Sequence, residues 1–236
     1  LGRMITCLRP ATSGQVLYDG RDLLRVGKRE LHPYRRRVQM LFQHPDTSLN
    51  PRMTVLDSLR EPFLLHDLPG RAHMDDVVRE HIRAYGIQPE LLERRASQVS
   101  GGQIQRIVLA RIMLLQPEFI VLDEPTAMLD PRGREEVMEI VSDLNRRLGI
   151  TVVLITHHMD EAARAQRVVV LDHGEIAADG PPRSVFSQVE LLHRLGLSAP
   201  ETVELCWRLR ELGEEVPLDT LTVEECAQAL RRWASA

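Results

Sequence analysis

Phe119, Ile120, Val121 and Leu122 form an unbroken apolar run that ends on two acids, Asp123 and Glu124. An apolar run without alternation is a strand buried on both faces, the kind found at the centre of a parallel sheet covered by helices. Ligands bind at the carboxyl ends of such strands. There an aspartate holds Mg²⁺ through its water shell, and a second carboxylate polarises a water for in-line attack on a γ-phosphate. A strand that ends on two acids at a turn is also an ordinary structural ending, so the pair needs its surroundings before it means chemistry.

The surroundings are of the alternating kind. Residues 15–18 read as a short strand between Thr12, Ser13, Gly14 and Asp19, Gly20, and residues 38–42 as another. From 57 to 93 the apolar spacing is helical, with breaks expected at Pro62, at Pro69 and Gly70, and at Gly86. A periodic helix opens at Ser100 and runs to about 116, where Pro117 stops it. Asp130 and Pro131 read as an N-cap and first helical residue, with Gly149 as the C-terminal stop. Residues 150–155 are a β-branched strand, a helix follows from about Met159, and Asp172, His173, Gly174 and Glu175 mark a hairpin. Beyond Pro181 and Pro182 the pattern is only helical. The expected fold class is α/β with a parallel sheet core. Its expected organisation is a core of 1–43 and 94–186, a helical subdomain of 44–93, and a helical C-terminal appendage of 187–236.

Composition narrows the function. The 236 residues are 43% hydrophobic, 27% charged and only 4% aromatic, with a formal net charge of −4. So little stacking surface and no basic excess argue against nucleic acid as a partner, the run Arg35, Arg36, Arg37 reading as a solvated face. Cys7, Cys206 and Cys226 are odd in number, far apart and lack the CxxC or Cys/His spacing that would suggest a disulfide framework or zinc site, which fits a reducing compartment. No apolar run reaches the roughly 20 residues that cross a bilayer, so any membrane role is expected to be peripheral. Residues 1–10 carry no cleavage site of the secretory kind, and without an initiating methionine the sequence is expected to begin inside a longer protein.

Two further segments suit phosphate. Residues 99–106 (VSGGQIQR) put a hydroxyl, Ser100, and two glycines, Gly101 and Gly102, at a helix N-terminus, whose unpaired amides and dipole attract anions; a plain N-cap is the alternative. His157 follows the strand ending at Ile155 and is placed either to hydrogen-bond a γ-phosphate or to serve structure. In this order, VSGGQIQR, FIVLDEPTAMLD and LITHH resemble the signature, Walker B, D-loop and switch-histidine motifs of ATP-binding-cassette (ABC) ATPases. The resemblance extends to Val38–Gln43, similar to the strand entering that family's Q-loop, and to the turn and strand from Thr12 to Gly20.

The resemblance implies roles. Asp123 would hold Mg²⁺, Glu124 would be the general base, Gln43 would contact Mg²⁺ and the lytic water, and His157 would sense the γ-phosphate. Ser100, Gly101, Gly102 and Gln103 would reach ATP held by an opposite cassette, with Asp130 at the seam. It implies a second ABC ATPase subunit, identical or not, a transmembrane coupling protein or permease, and a place on the cytoplasmic face of the membrane. The departure is that no GxxxxGK[ST] occurs: Gly27-Lys28 precedes Arg29, and Gly20 lies seven residues before Gly27. Leu1 stands one step past the position that loop holds in the family. The expectation is that these 236 residues alone are inactive, and that they lack the strand lying beside the Walker B strand, so that an unpaired sheet edge remains.

Two branches of the family compete. Phe42, Gln43, His44, Pro45, then 48–55 and Glu61-Pro62, resemble ATPases of oligopeptide, dipeptide and nickel importers. Residues 127–137, 179–188 and the tail around 209–210 and 221–225 resemble, over a longer span, ATPases of energy-coupling-factor importers for vitamins and for cobalt or nickel, which is the preferred reading. The alternative of another class is a soluble non-transport cassette of DNA repair, chromosome structure or translation; its repair and chromosome types are disfavoured because Gln43 and Ser100 lie 100 − 43 = 57 residues apart, too few for a long coiled coil. A non-catalytic subunit is disfavoured because Gln43, Asp123, Glu124 and His157 are all present.

Overall fold

The computed structural model describes residues 1–27, 29–43, 48–66 and 68–235. The chain divides into two compact units, Leu1–Ile155 and Thr156–Ala236.

In the first unit, α1 (Gly2–Ile5) is followed by a small antiparallel ribbon of β1 (Leu17–Tyr18) and β2 (Arg21–Asp22), then α2 (Leu31–Arg37) running directly into β3 (Val38–Leu41). Next come α3 (Val55–Leu65), α4 (Met74–His81), α5 (Gly101–Met113), β4 (Phe119–Asp123), α6 (Pro131–Leu148) and β5 (Thr151–Ile155), with single 3₁₀ turns between α3 and α5. The sheet is parallel, in the order β3-β4-β5, with Leu41 opposite Leu122 and Asp123 opposite Ile155. Ile120, Val121 and Leu122 are exposed by no more than 1%, as an apolar run covered on both faces requires. One cover is α1: a Cβ added to Gly2 would lie 3.0 Å from Val121 Cγ1, 3.2 Å from Met40 Cε and 3.3 Å from Ile155 Cδ1, one contact for each strand.

The expectation about the Walker B strand's neighbours needs correcting. β4 is paired on both sides, so the Walker B strand has no open edge; among the described residues the outer edges belong to β3 and β5. The β1 strand is also shorter than the expected 15–18. Pro62 does not end a helix but lies inside α3. It cannot donate to the Ser58 carbonyl, yet Val55, Leu59, Pro62 and Phe63 are all buried, and their packing carries the helix through. Val55, Leu59 and Phe63 share one apolar cluster with Ile107 of α5 and Ile120 and Leu122 of β4, so the segment after β3 is built onto the sheet's own core.

α5 stops at Met113 rather than about 116, because Gln116 takes a left-handed φ of 52° before Pro117. α6 keeps its expected ends: the Asp130 side chain accepts from the Gly133 amide at 3.0 Å, and Gly149, at φ 67°, closes the C-terminus.

The second unit begins with α7, Met159–Ala162, which starts where the sequence pattern placed it. The hairpin of β6 (Val168–Asp172) and β7 (Glu175–Gly180) turns at His173 and Gly174, both at positive φ as a tight primed turn demands. The helices α8 (Pro182–Phe186), α9 (Val189–Arg194), α10 (Glu201–Glu211) and α11 (Val223–Ala234) follow. Val170, Val185, Phe186, Val189, Leu192 and Val203 form this unit's main core.

Candidate active site

At the carboxyl end of β4 the backbone turns sharply. Glu124 is left-handed, at φ 47°, a conformation that costs a non-glycine residue roughly 1–2 kcal/mol and that gathers at functional sites. The turn is held because the Glu124 amide donates to the carbonyl of Ile155, the last residue of β5, at 2.8 Å. Thr126, exposed by only 1%, gives its carbonyl to the Leu129 amide at 3.0 Å and carries the chain into the loop before α6.

Gln43, two residues past β3, reaches this turn: its Nε2 donates to Glu124 Oε2 at 2.8 Å across 81 residues of sequence. Gln43 and Asp123 also line one cavity of about 730 Å³, with Arg3, Phe42, Arg111 and the aliphatic wall of Ile112. Arg3 lies over the Phe42 ring, 5.6 Å from its centroid. Gln43, Asp123 and Glu124 are thus brought together where a parallel sheet offers its ligand end.

Ser100, Gly102, Gln103 and Asp130 meet in a second cleft of about 260 Å³, together with Leu129 and Gly133. Ser100 caps α5 as expected, its amide donating to Gln103 Oε1 at 3.1 Å. A Cβ on Gly102 would come within 3.2 Å of Leu129 Cδ2, so the missing side chain lets the start of α5 approach the loop before α6. Gly101 has open space where a Cβ would stand, and its backbone is presented outward.

Sequence reading missed the brace behind this cleft. Arg106 of α5 pairs with Glu136 of α6, which also takes Arg132 at 3.2 Å. The Arg132–Glu136 spacing of four is legible on a helix; the 30 residues between Arg106 and Glu136 give no such signal.

His157 lies in the second unit, two residues past the end of β5; it is exposed, and its ring centroid is 4.3 Å from that of His158. Lys28, His44, Pro45 and Asp46 lie outside the described residues, so the Gly27-Lys28 pair and the start of the segment after Gln43 have no structural account. Among the described residues no helix is long and apolar enough to cross a membrane.

Comparison with known proteins agrees with this arrangement. The family model described as "ABC transporter" matches residues 1–127. The energy-coupling factor transporter ATP-binding protein EcfA1 of Clostridium perfringens is 38% identical over 230 residues, covering 98% of this chain and 80% of that protein. Among solved structures, the dimeric post-hydrolysis state of the ATP-binding cassette MJ0796 bound to ADP and Pi superposes with a TM-score of 0.69 at 28% identity, over 77% of this chain and 78% of that one. The structure of cbiO1 from Clostridium perfringens, part of the ABC transporter complex cbiONQ, gives a TM-score of 0.69 at 25% identity, over 89% and 79%. The chain belongs to the ABC transporter family, with that family's α/β ATPase fold. Within it, likeness over nearly the whole chain puts it with the ATP-binding subunits of energy-coupling factor importers.

Proposed function

We propose that this subunit, paired with a second cassette, hydrolyses Mg·ATP to drive uptake of a vitamin or of cobalt or nickel through a transmembrane coupling protein. The observation that carries the hydrolytic part is the 2.8 Å bond from Gln43 Nε2 to Glu124 Oε2. It orients the carboxylate that takes a proton from the attacking water, and it leaves the amide oxygen to that water or to the cation. Mg²⁺ would be held through one or two protein oxygens and its own waters. Asp123 and Gln43, oxygen donors lining one cavity, are a set of that kind. The cation's chemistry is to neutralise charge gathering on the phosphoryl oxygens.

In this reading His157 bonds the γ-phosphate, and Ser100, Gly101, Gly102 and Gln103 present amides to nucleotide bound on the opposite cassette. Asp130, in the same cleft, stands at the seam. The segment 44–93 is the dock for the membrane partner, which sets the subunit on the cytoplasmic face, and 187–236 is an appendage to the 1–43 and 94–186 core.

The 236 residues hold no phosphate-binding loop, so turnover belongs to a chain that carries one. The chain of these residues alone is expected to show neither tight ATP binding nor ATPase activity; measurable turnover by the purified chain would contradict this. The transport class is tested by what co-purifies. A small transmembrane coupling protein is the expected result, and two permeases with a separate binding protein would transfer the subunit to peptide uptake.

A further inference from the structure

Cys206 of α10 and Cys226 of α11 touch: both are buried, at 0% and 5% exposure, and their Sγ atoms lie 3.9 Å apart. With Val216 they form a small core of their own between the two helices. The sulfurs are in van der Waals contact, and an S–S bond is about 2.05 Å long, so each would move by about 1 Å, within reach of a small side-chain rotation. Polar atoms stand beside both: Thr220 Oγ1 is 3.4 Å from the Cys206 sulfur, and the Cys226 thiol points to the Thr202 carbonyl at 3.8 Å. Burial first, then the neighbouring Cys206 sulfur, pushes the Cys226 thiol above its ordinary value, so little of it is thiolate. Bulky disulfide oxidants are kept out by the same burial, which selects for a small neutral oxidant.

We propose that Cys206 and Cys226 are an oxidisable thiol pair, closed by a hydroperoxide into an intrachain disulfide that staples α10 to α11. One sulfur, through the small thiolate fraction that burial leaves it, attacks a peroxide oxygen; the O–O bond breaks, the sulfur becomes a sulfenic acid, and the hydroxide released takes up the thiol's proton as water. The second sulfur then displaces the sulfenic hydroxyl, the S–S bond forms, and that hydroxyl leaves as water with the second thiol's proton. With hydrogen peroxide, two thiols lose two electrons and one peroxide becomes two waters. The bridge closes the chain between α10 and α11 and removes conformations from the unfolded state, so the C-terminal unit resists opening when oxidised.

The 236-residue protein, treated with hydrogen peroxide, quenched with an alkylating reagent in denaturant and digested, is expected to yield a peptide pair joined through Cys206 and Cys226. It should be two hydrogens lighter than the free peptides, with Cys7 still alkylated. Dithiothreitol should reverse it, and the melting temperature should rise by about 5 °C or more on oxidation. That rise should vanish in a folded Cys226→Ala variant; if the variant does not fold, the joined peptide in the unaltered chain decides. Full alkylation of both cysteines after prolonged treatment, separate conversion to sulfinic acids, or only intermolecular bridges would each overturn the proposal.

Discussion

Glu124 and Gly2 show how much rests on single residues. Glu124 holds a left-handed turn so that its amide meets Ile155 and its carboxylate meets Gln43. Gly2 lets α1 lie on all three strands of the sheet, and a larger side chain there has to push into Val121, Met40 and Ile155. Gly2→Val is therefore expected to destabilise the chain by about 1–3 kcal/mol, read as a lower denaturant midpoint at an unchanged slope. Glu225 carries a pH signature. The Arg183 guanidinium, with the Leu221 and Thr222 amides, holds its carboxyl down to about 2. A depressed folded value means that its stabilisation is complete above the ordinary carboxylate value of about 4.3 and is lost as pH falls from there toward about 2. In wild type the melting temperature should fall across that window, and Glu225→Gln should flatten that part of the curve; an identical profile in both would remove Glu225 from the account. Asp123 and Glu124 were readable from the sequence because the strand and its acids are contiguous. The Gln43–Glu124 bond was not, since 81 residues separate the partners, and family likeness implied only that Gln43 contacts Mg²⁺ and the lytic water.

At the scale of elements, local signals set the ends and packing set the rest. Asp130 and Gly149 bound α6, and His173 and Gly174 turn the hairpin, because caps and primed turns are decided by a few adjacent residues. Pro62 reads as a helix break, yet α3 continues through it, because burial of Val55, Leu59 and Phe63 outweighs one missing hydrogen bond. The neighbours of β4 were misjudged for a related reason: strand order is a long-range property, and nothing near Phe119 says that β3 and β5 flank it. The Arg106–Glu136–Arg132 brace is likewise invisible until α5 and α6 are packed. Glu136→Ala strips both arginines of their shared partner, and Arg106 is only 27% exposed. The expected cost is about 1 kcal/mol in unfolding free energy. Hydrogen exchange should quicken at the start of α5 and in the loop before α6; unchanged exchange at both would show that the brace does not hold them.

At the scale of the molecule, the first unit carries two separate clefts. One gathers Gln43 and Asp123, and the other gathers Ser100, Gly102, Gln103 and Asp130. In the proposed reading the second cleft faces nucleotide held by an opposite cassette, and hydrolysis then needs a partner. Docking of a membrane partner on 44–93 is tested at exposed Arg52. In the assembled importer, Arg52→Glu should lower transport while ATPase activity stays near its basal level, and parallel loss of both would count against docking there. The hydrolytic role of Glu124 is the claim on which the rest turns. The decisive measurement is ATP turnover and ATP retention by Glu124→Gln in a chain that carries a phosphate-binding loop. Turnover should fall by about 100-fold or more, with ATP kept bound in a paired cassette; turnover equal to that of the unaltered protein would contradict the assignment.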